Sequence, residues 1–443
     1  MKVEITVKVD GKKVAKHVEQ VGGTLEQMEE KIHALSKMLA GQTLQASVDA
    51  VEPPPPFSAD GAKPRHKGYQ QRTLVGLNGP ITIQRARYRC KTTGRTSCPL
   101  DQLLDLPPGE VTVSLARRAM RLGTYMSFAV LQEELKIQHD VRLSNSTLNN
   151  LMQAAGGRAE QDRQQAVDQL QSVPMGMYRE QLVETDPLES VPRRLYVSCD
   201  GIMYRTRYRE THPDRPREKR AIYQEMKAGT VFWQDRDGQW CKRVMSGRDD
   251  PRRFGLSLWS LAVQCGLLNI EDVVFISDGS SWCETIAETY FKDATRILDW
   301  YHLSEHIWET ARLLYPNAAE SAKRWAKSCL SDLHDSSGIG LLRRLERIRE
   351  RRPASEQAIL DGLIGYVRPR LAITDYVDYK AAGYVIGSGM MESTCKQLVG
   401  HRLKGPGMQW SESGALAMTA LVGCRLNGTW NRFWSSRPLQ RAA

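Results

Sequence analysis

Two apolar stretches that each end in Asp-Gly decide the fold: residues 195–201 (LYVSCDG) and residues 273–279 (VVFISDG). Short apolar runs of this kind predict buried strands. Between them, residues 222–234 and 240–244 have the patterns of further strands and residues 254–265 that of a helix, and strands followed by helices predict an α/β sheet. Because sites in open α/β sheets form at the carboxyl ends of strands, we expect Asp200 and Asp278 at the rim of the sheet. Asp-Gly is also a common turn pair, so each Asp has a purely structural alternative.

A third acidic residue, Glu392, lies in the stretch GSGMMEST at residues 387–394. Ser388 can cap a helix that places Glu392 in its first turns. The alternative is an acid favoured at a helix start by the helix dipole. Three carboxylates can hold two hard cations. Two Mg²⁺ ions roughly 4 Å apart can activate an attacking oxygen and stabilise a leaving oxygen in phosphodiester displacement.

The charge balance points to a polyanionic partner. The 443 residues include 62 Lys and Arg against 51 Asp and Glu, a formal net charge of +11. Such an excess favours nucleic acid, although an ordinary basic enzyme is the alternative. The densest basic segment runs from Tyr204 to Arg220, and we expect a hairpin tip or a loop there.

The chain is expected to be cytoplasmic. Its first residues alternate apolar and charged side chains rather than forming a signal peptide. No apolar stretch approaches the roughly 20 residues of a membrane span. The nine cysteines are read as reduced thiols. Metal binding by Cys90 and Cys98 is disfavoured, because a zinc ribbon needs two close ligand pairs.

Two further motifs join the three acids: DWYH at residues 299–302 and RLKGPGMQW at residues 402–410. In this combination the chain resembles the DDE transposases of bacterial insertion sequences, in particular the ISKra-type group. That group is related to Mutator-like transposases, which carry D-x-x-H or C-x-x-H after the second catalytic Asp.

The resemblance implies an RNase-H-like catalytic core with an all-helical insertion. Asp200 would lie on the first strand of the core, Asp278 on the fourth and Glu392 on a late helix, as ligands of two Mg²⁺ ions that Mn²⁺ can replace. The implied activity is cleavage of element ends and strand transfer into target DNA. The implied partner is double-stranded DNA, bound by a homo-oligomer.

Around the acids, Asp299 and His302 match D-x-x-H and are predicted to support the site, although a helix-start histidine bonded to Asp299 is the alternative. Residues 302–306 also fit H-x-x-E-H, a zinc-peptidase pattern that leaves the aspartates unexplained. A catalytically inactive DNA-binding protein is a further alternative. Candidate DNA contacts, each with a solvent-facing or core alternative, are Arg205, Arg207, Arg209, Lys396, Arg402, Lys404, Trp282 and Trp410.

The length of the chain predicts two to four domains, and the local patterns together with the family resemblance imply the following regions. A small α+β N-terminal region and a helical DNA-binding domain precede the catalytic core. The predicted regions are a hairpin plus helix (1–50), a proline-rich linker (51–68), a β-rich region (69–110), a helix-turn-helix-like region (111–185), the first part of the core (190–315), the helical insertion (316–380) and the C-terminal core helices (381–443).

Overall fold

The computed structural model describes residues 1–53, 64–174, 178–184, 192–212 and 215–435, with backbone only at 211, 212 and 215–219. Most of the predicted proline-rich linker lies outside the described residues. The chain divides into two units, Met1–Ala155 with Trp430–Ala443, and Gly156–Thr429.

The first unit begins with a hairpin and a helix, as predicted. β1 (Lys2–Val9) pairs antiparallel with β2 (Lys12–Gln20). Thr24 and Gln27 form a reciprocal capping box at the start of α1 (Leu25–Asp49). The Asn78-Gly79 turn joins β3 (Arg65–Gly76) to β4 (Gly79–Arg89), which also pairs with β5 (Thr96–Ser97).

Helices follow this sheet. They are α2 (Pro99–Leu103), α3 (Val113–Gly123), α4 (Phe128–His139) and α5 (Asn145–Gln171). The hydroxyl of Ser144 accepts a hydrogen bond from the Thr147 amide at 3.0 Å and so caps α5. The predicted pair of helices joined by a turn is confirmed, while its DNA-binding role stays a prediction. The division between the two units falls within α5. A last helix of the first unit, α15, spans Trp430–Ser435.

The second unit is built on one mixed five-stranded sheet, which confirms the α/β prediction. Its strands are β6 (Arg194–His212), β7 (Arg215–Gln234), β8 (Trp240–Gly247), β9 (Asp272–Ser277) and β10 (Thr295–Leu298). The spatial order is β10-β9-β6-β7-β8. β6, β7 and β8 form an antiparallel meander, whereas β9 runs parallel to β6 and β10 parallel to β9. The described residues of the basic segment 204–220 belong to the strands of the long β6–β7 hairpin.

Helices cover both faces of this sheet. Leu195, Val197 and Cys199 point into a core with α6 (Pro251–Gln264) and α7 (Ser281–Tyr290). Tyr196 points to the opposite core, which contains the predicted helical stretch. Because side chains alternate along a strand, Asp200 shares the face of Tyr196. The helices of that face are α8 (Trp300–Leu314), α9 (Ala319–Arg349), α10 (Ala354–Val367) and α11 (Tyr376–Ala381).

The C-terminal part of this unit returns to the sheet through a helix with a π-helical turn. α12 (Gly389–Thr394) continues through Cys395–Gly400 in π-helical geometry into α13 (His401–Leu403), and α14 (Glu412–Leu426) follows. α12 packs against β7 and β6. None of the described helices is both long enough and apolar enough to cross a membrane.

Candidate active site

Asp200 lies on β6, on the face covered by the late helices. The expected strand end at Asp200 is wrong, because β6 continues to His212 in its pairing with β7; only the pairing with β9 ends just before Asp200. One carboxylate oxygen accepts the Gly201 amide at 2.6 Å, and the other lies 3.8 Å from the Cys395 thiol, which donates to it. Burial raises the pKa of Asp200, and the negative charge of Asp278 raises it further, against the opposing effects of the Gly201 amide, His302 and Cys395. The two aspartates are therefore close enough to repel each other, a situation that a bound cation would relieve.

Asp278 directly follows β9, in a turn that the helical region holds by hydrogen bonds. Its Oδ1 accepts the Ser280 amide at 2.9 Å, and its backbone carbonyl accepts the Tyr366 hydroxyl at 2.8 Å. The next carbonyl, of Gly279, accepts Nη2 of Arg370 at 2.8 Å. Gly279 has φ of +75°, and an added Cβ would lie 2.5 Å from Arg370 Nε. The turn therefore requires glycine both for its backbone conformation and for the approach of Arg370.

Asp299 follows β10 and has a different set of partners. It is buried, and its Oδ1 accepts the amides of Tyr301 and Ser388, each at 3.0 Å. The Ser388 hydroxyl donates to Oδ2. Ser388 does occupy the N-cap position of α12, but its hydroxyl makes no capping bond. The expected cap is thus wrong in detail: Ser388 ties the start of α12 to Asp299 instead.

Glu392 lies one helical turn before Cys395, the residue that contacts Asp200. Its side chain is 65% exposed, and it pairs with Lys396 at 2.6 Å. Within the described part of the chain, no group of three or more His, Cys, Asp or Glu side chains is placed to hold a metal ion. The structure thus brings Asp200 and Asp278 together and places the helix that carries Glu392 beside them, with the Glu392 carboxylate bound to Lys396.

A cluster of rings lies between the aspartates and the helical region. His302 and His306 lie one turn apart on α8, with ring centroids 4.9 Å apart. The centroid of the His306 ring lies 4.2 Å from that of Tyr366. The guanidinium of Arg370 lies 4.3 Å from the centroid of the same Tyr366 ring. Burial and the neighbouring His302 lower the pKa of His306. His302 therefore lies near both the Asp200 carboxylate and this cluster of rings.

The sequence did not reveal several residues of this site. Tyr366 and Arg370 are separated from Asp278 by about 90 positions, and no local pattern marks them as partners. Cys395 sits in an ordinary helical stripe. The sequence feature that could have linked Cys395 to the site is its spacing of three residues from Glu392, since residues three apart are neighbours on a helix surface.

The predicted DNA contacts fall into exposed and buried groups. Arg207, Arg209, Lys396 and Lys404 are exposed, whereas Arg205 is half-buried. Arg402 is buried, 5.7 Å above the Trp410 ring, and burial lowers the pKa of its guanidinium to about 10. Only 2% of Arg402 is exposed, so the predicted phosphate contact, which stays a prediction, would require its surroundings to open.

The two tryptophans have different surroundings. The Trp410 backbone pairs with β6, since its amide donates to Arg205 at 3.2 Å and its carbonyl accepts from Arg207 at 3.0 Å. Trp282 packs beside Phe254 and lies 5.6 Å from the Lys227 ammonium. Trp410 therefore ties the segment after α13 to the basic hairpin.

No protein-family model and no curated protein matches the chain. Among solved structures, the chain is similar to the Drosophila P element transposase strand transfer complex, with 11% sequence identity and a TM-score of 0.32. The match covers 69% of this chain and 90% of that chain. A likeness of this degree carries no weight for function, which must be argued from the site.

Proposed function

We propose that this chain is a DNA transposase of the DDE type, with Asp200, Asp278 and Glu392 as its catalytic acids. One observation carries the proposal: Asp200 lies on β6 just beyond its last pair with the parallel strand β9, Asp278 directly follows β9, and the helix bearing Glu392 touches Asp200 through Cys395. The carboxyl end of a parallel strand such as β9 is where active sites form in open α/β sheets.

The arrangement of the sheet supports an RNase-H-like core. Counted along the chain, its five strands lie in the order 5-4-1-2-3, with the fourth parallel to the first. Asp200 lies on the first strand and Asp278 immediately after the fourth, the strand positions that the family resemblance implies. The helical stretch between β10 and α12 corresponds to the implied insertion.

The donor set fits Mg²⁺ in part. Asp200 and Asp278 offer oxygen donors whose mutual repulsion raises the pKa of Asp200, and Glu392 must leave Lys396 to join them. When bound, two Mg²⁺ ions supply activation of the attacking oxygen and stabilisation of the leaving oxygen. Asp200, Asp278 and Glu392 are the residues that would hold these ions. Lys396, once released from Glu392, can neutralise a DNA phosphate.

Exposed cations on the same unit supply a surface for the DNA backbone. Arg207 and Arg209 lie on the distal part of β6, and Lys404 follows the helix that carries Glu392. Lys404 is near enough to Cys395 to oppose the rise in its pKa. These side chains therefore extend from the acids toward the basic hairpin.

The two alternatives are less well supported. An inactive DNA-binding protein would have no need for two mutually repelling carboxylates at a sheet rim. A zinc peptidase would use His302 and His306, whose rings are adjacent, but no third ligand joins them among the described residues.

The test is a nicking and strand-transfer assay on DNA that carries the sequences flanking the coding region, with Mg²⁺ or Mn²⁺. Wild-type protein is expected to cleave, and Asp200→Asn to bind the same DNA without cleaving it. Asp293→Asn, at an exposed aspartate, is the matched control. Wild-type activity in Asp200→Asn would reject the assignment, whereas zinc-dependent peptidase activity that is lost in His302→Ala would replace it.

A further inference from the structure

A cavity of about 670 Å³ opens on the Tyr196 side of the sheet, next to the start of α12. Its volume is in the range of small-molecule pockets. The segment Ile386–Met390, which leads directly into the helix with Glu392, forms part of its wall. Much of the remaining wall is aromatic, from β7, β8, α8 and the segment before α12: Phe232, Trp240, Trp300, Tyr301 and Tyr384.

Two of these aromatic side chains are unusually open to solvent. Trp240 is 42% exposed and Tyr301 is 63% exposed. Trp240 lies with its edge toward the stacked pair Tyr196 and Phe232. Rings of this size are usually covered, and a concentration of exposed rings in a hollow marks a binding surface.

Lys380 adds one positive charge to the aromatic wall. Its ammonium nitrogen is inaccessible to solvent and has no hydrogen-bond partner within the described part of the chain. It lies 4.8 Å from the Trp300 ring centroid, and burial lowers the pKa of its amine. A buried donor without an acceptor is costly, and a ligand that brings an acceptor would remove that cost.

We propose that this cavity binds an unpaired nucleobase of the DNA strand that the acids cut, an inference that rests on the proposed function. Aromatic faces stack on bases, and enzymes that act on DNA can bind an extruded base in such a pocket. The Lys380 ammonium, which lies over the Trp300 ring, would turn toward the cavity when a base enters and donate to an acceptor on the edge of the base. A phosphate is a poorer occupant, because the wall offers mainly ring surface and few cations.

The position of the cavity agrees with this occupant. Tyr196, which stacks on Phe232 of the wall, precedes Asp200 by four residues on β6. Four residues of a strand span roughly 13 Å, comparable to about four steps of a stacked DNA strand. A base a few nucleotides from the cut phosphate can therefore enter the cavity.

The experiment compares two fluorescent strands of equal length, oligothymidine and a strand of abasic nucleotides, in the presence of EDTA. Both carry the same phosphates, so the ratio of their affinities, measured by anisotropy, isolates the contribution of the bases. Wild-type full-length protein is expected to prefer oligothymidine by about 5- to 100-fold. Trp240→Ala and Lys380→Met are each expected to reduce that ratio while leaving abasic-strand affinity unchanged.

Tyr178→Ala, which removes an exposed ring outside the cavity, is the control and should keep the wild-type ratio. Lys380→Met removes a buried charge and should fold at least as well as wild type, so it keeps the test valid if Trp240→Ala unfolds. An unchanged ratio in both cavity variants would overturn the inference, as would a loss of abasic-strand affinity in Lys380→Met, which would indicate a phosphate site.

The readout is independent of cleavage. If the protein cuts DNA but the cavity shows no preference for bases, this inference is wrong and the proposed function stands. If the protein shows the base preference but never cleaves DNA, the proposed function is wrong.

Discussion

The ends of β9 and β10 look alike in sequence and differ in chemistry. Each strand has buried apolar residues near its end, each is followed by an aspartate, and the two strands are parallel neighbours. Asp299 accepts two amides and the Ser388 hydroxyl, so both of its oxygens are engaged in holding α8 and the start of α12. Asp278 accepts one amide through Oδ1, while its turn is held through backbone carbonyls by Tyr366 and Arg370.

The difference separates a structural acid from a chemical one. A carboxylate has about four acceptor sites. Asp299 uses three of them for protein contacts and Asp278 uses one, so Asp278 keeps more capacity to take a cation. At Asp278 the protein fixes the backbone instead. Among the described residues, the carboxylate accepts a hydrogen bond only at Oδ1, which leaves Oδ2 available to a bound ligand. Holding a reactive group by its backbone positions it without using its donor atoms.

The largest expected effect comes from Asp278→Asn. If its carboxylate holds metal, cleavage should fall by at least about 10³-fold, the equivalent of several kcal/mol of lost charge stabilisation. Stability to chemical denaturation should change by less than about 1 kcal/mol, because no buried ion pair is broken. Full activity in this variant would remove the distinction between the two strand ends.

Asp299→Ala should have the reverse pattern, with stability as its main effect. The change removes the α8 cap and leaves the half-buried Ser388 amide without its acceptor, so we expect a loss of about 2 to 4 kcal/mol in unfolding free energy. Ser388→Ala, which keeps the amide contact and removes only the hydroxyl, should lose about 1 kcal/mol. If urea titrations found Asp299→Ala as stable as wild type, Asp299 would no longer be a structural acid.

Tyr366→Phe tests the clamp on the Asp278 turn. Phenylalanine retains the contact with His306 and removes only the hydroxyl that donates to the Asp278 carbonyl. The expected result is a fall of about 10-fold in cleavage rate and about 1 kcal/mol in stability. Tyr379→Phe is the control, since its hydroxyl bonds to the Arg296 carbonyl on β10 instead. Equal activity losses in both variants would indicate general destabilisation rather than positioning.

The comparison also shows which features a single sequence can predict. The strands were predictable because their apolar runs have no helical period, and α12 because GSGMMEST combines cap and helix-forming residues. The bond from Ser388 to Asp299 spans 89 positions and the one from Tyr366 to Asp278 spans 88, so neither leaves a local pattern. Arg402 was misjudged for the same reason: its charge predicted exposure, whereas the segment that ends at Trp410 folds back over it.

The smallest effect should appear at Asp200, in the metal-free protein, as a dependence of stability on pH. Burial and Asp278 raise its pKa above the model-peptide value of 3.8, so the folded state binds this proton more tightly than the unfolded state. Stability contributed by the protonated form is therefore lost as pH rises from about that value through the folded pKa.

Asp200→Asn removes the charge, so it should be slightly more stable than wild type near neutral pH, with the difference vanishing in acid. Mg²⁺ should stabilise wild type and not the variant, because the cation offsets the repulsion between the two carboxylates. Asp293→Asn carries the same charge change on an exposed side chain and should show neither effect in thermal melts. A wild-type protein whose stability at neutral pH equals that of Asp200→Asn, with and without Mg²⁺, would mean that the rim of the sheet stores no repulsion for a cation to relieve.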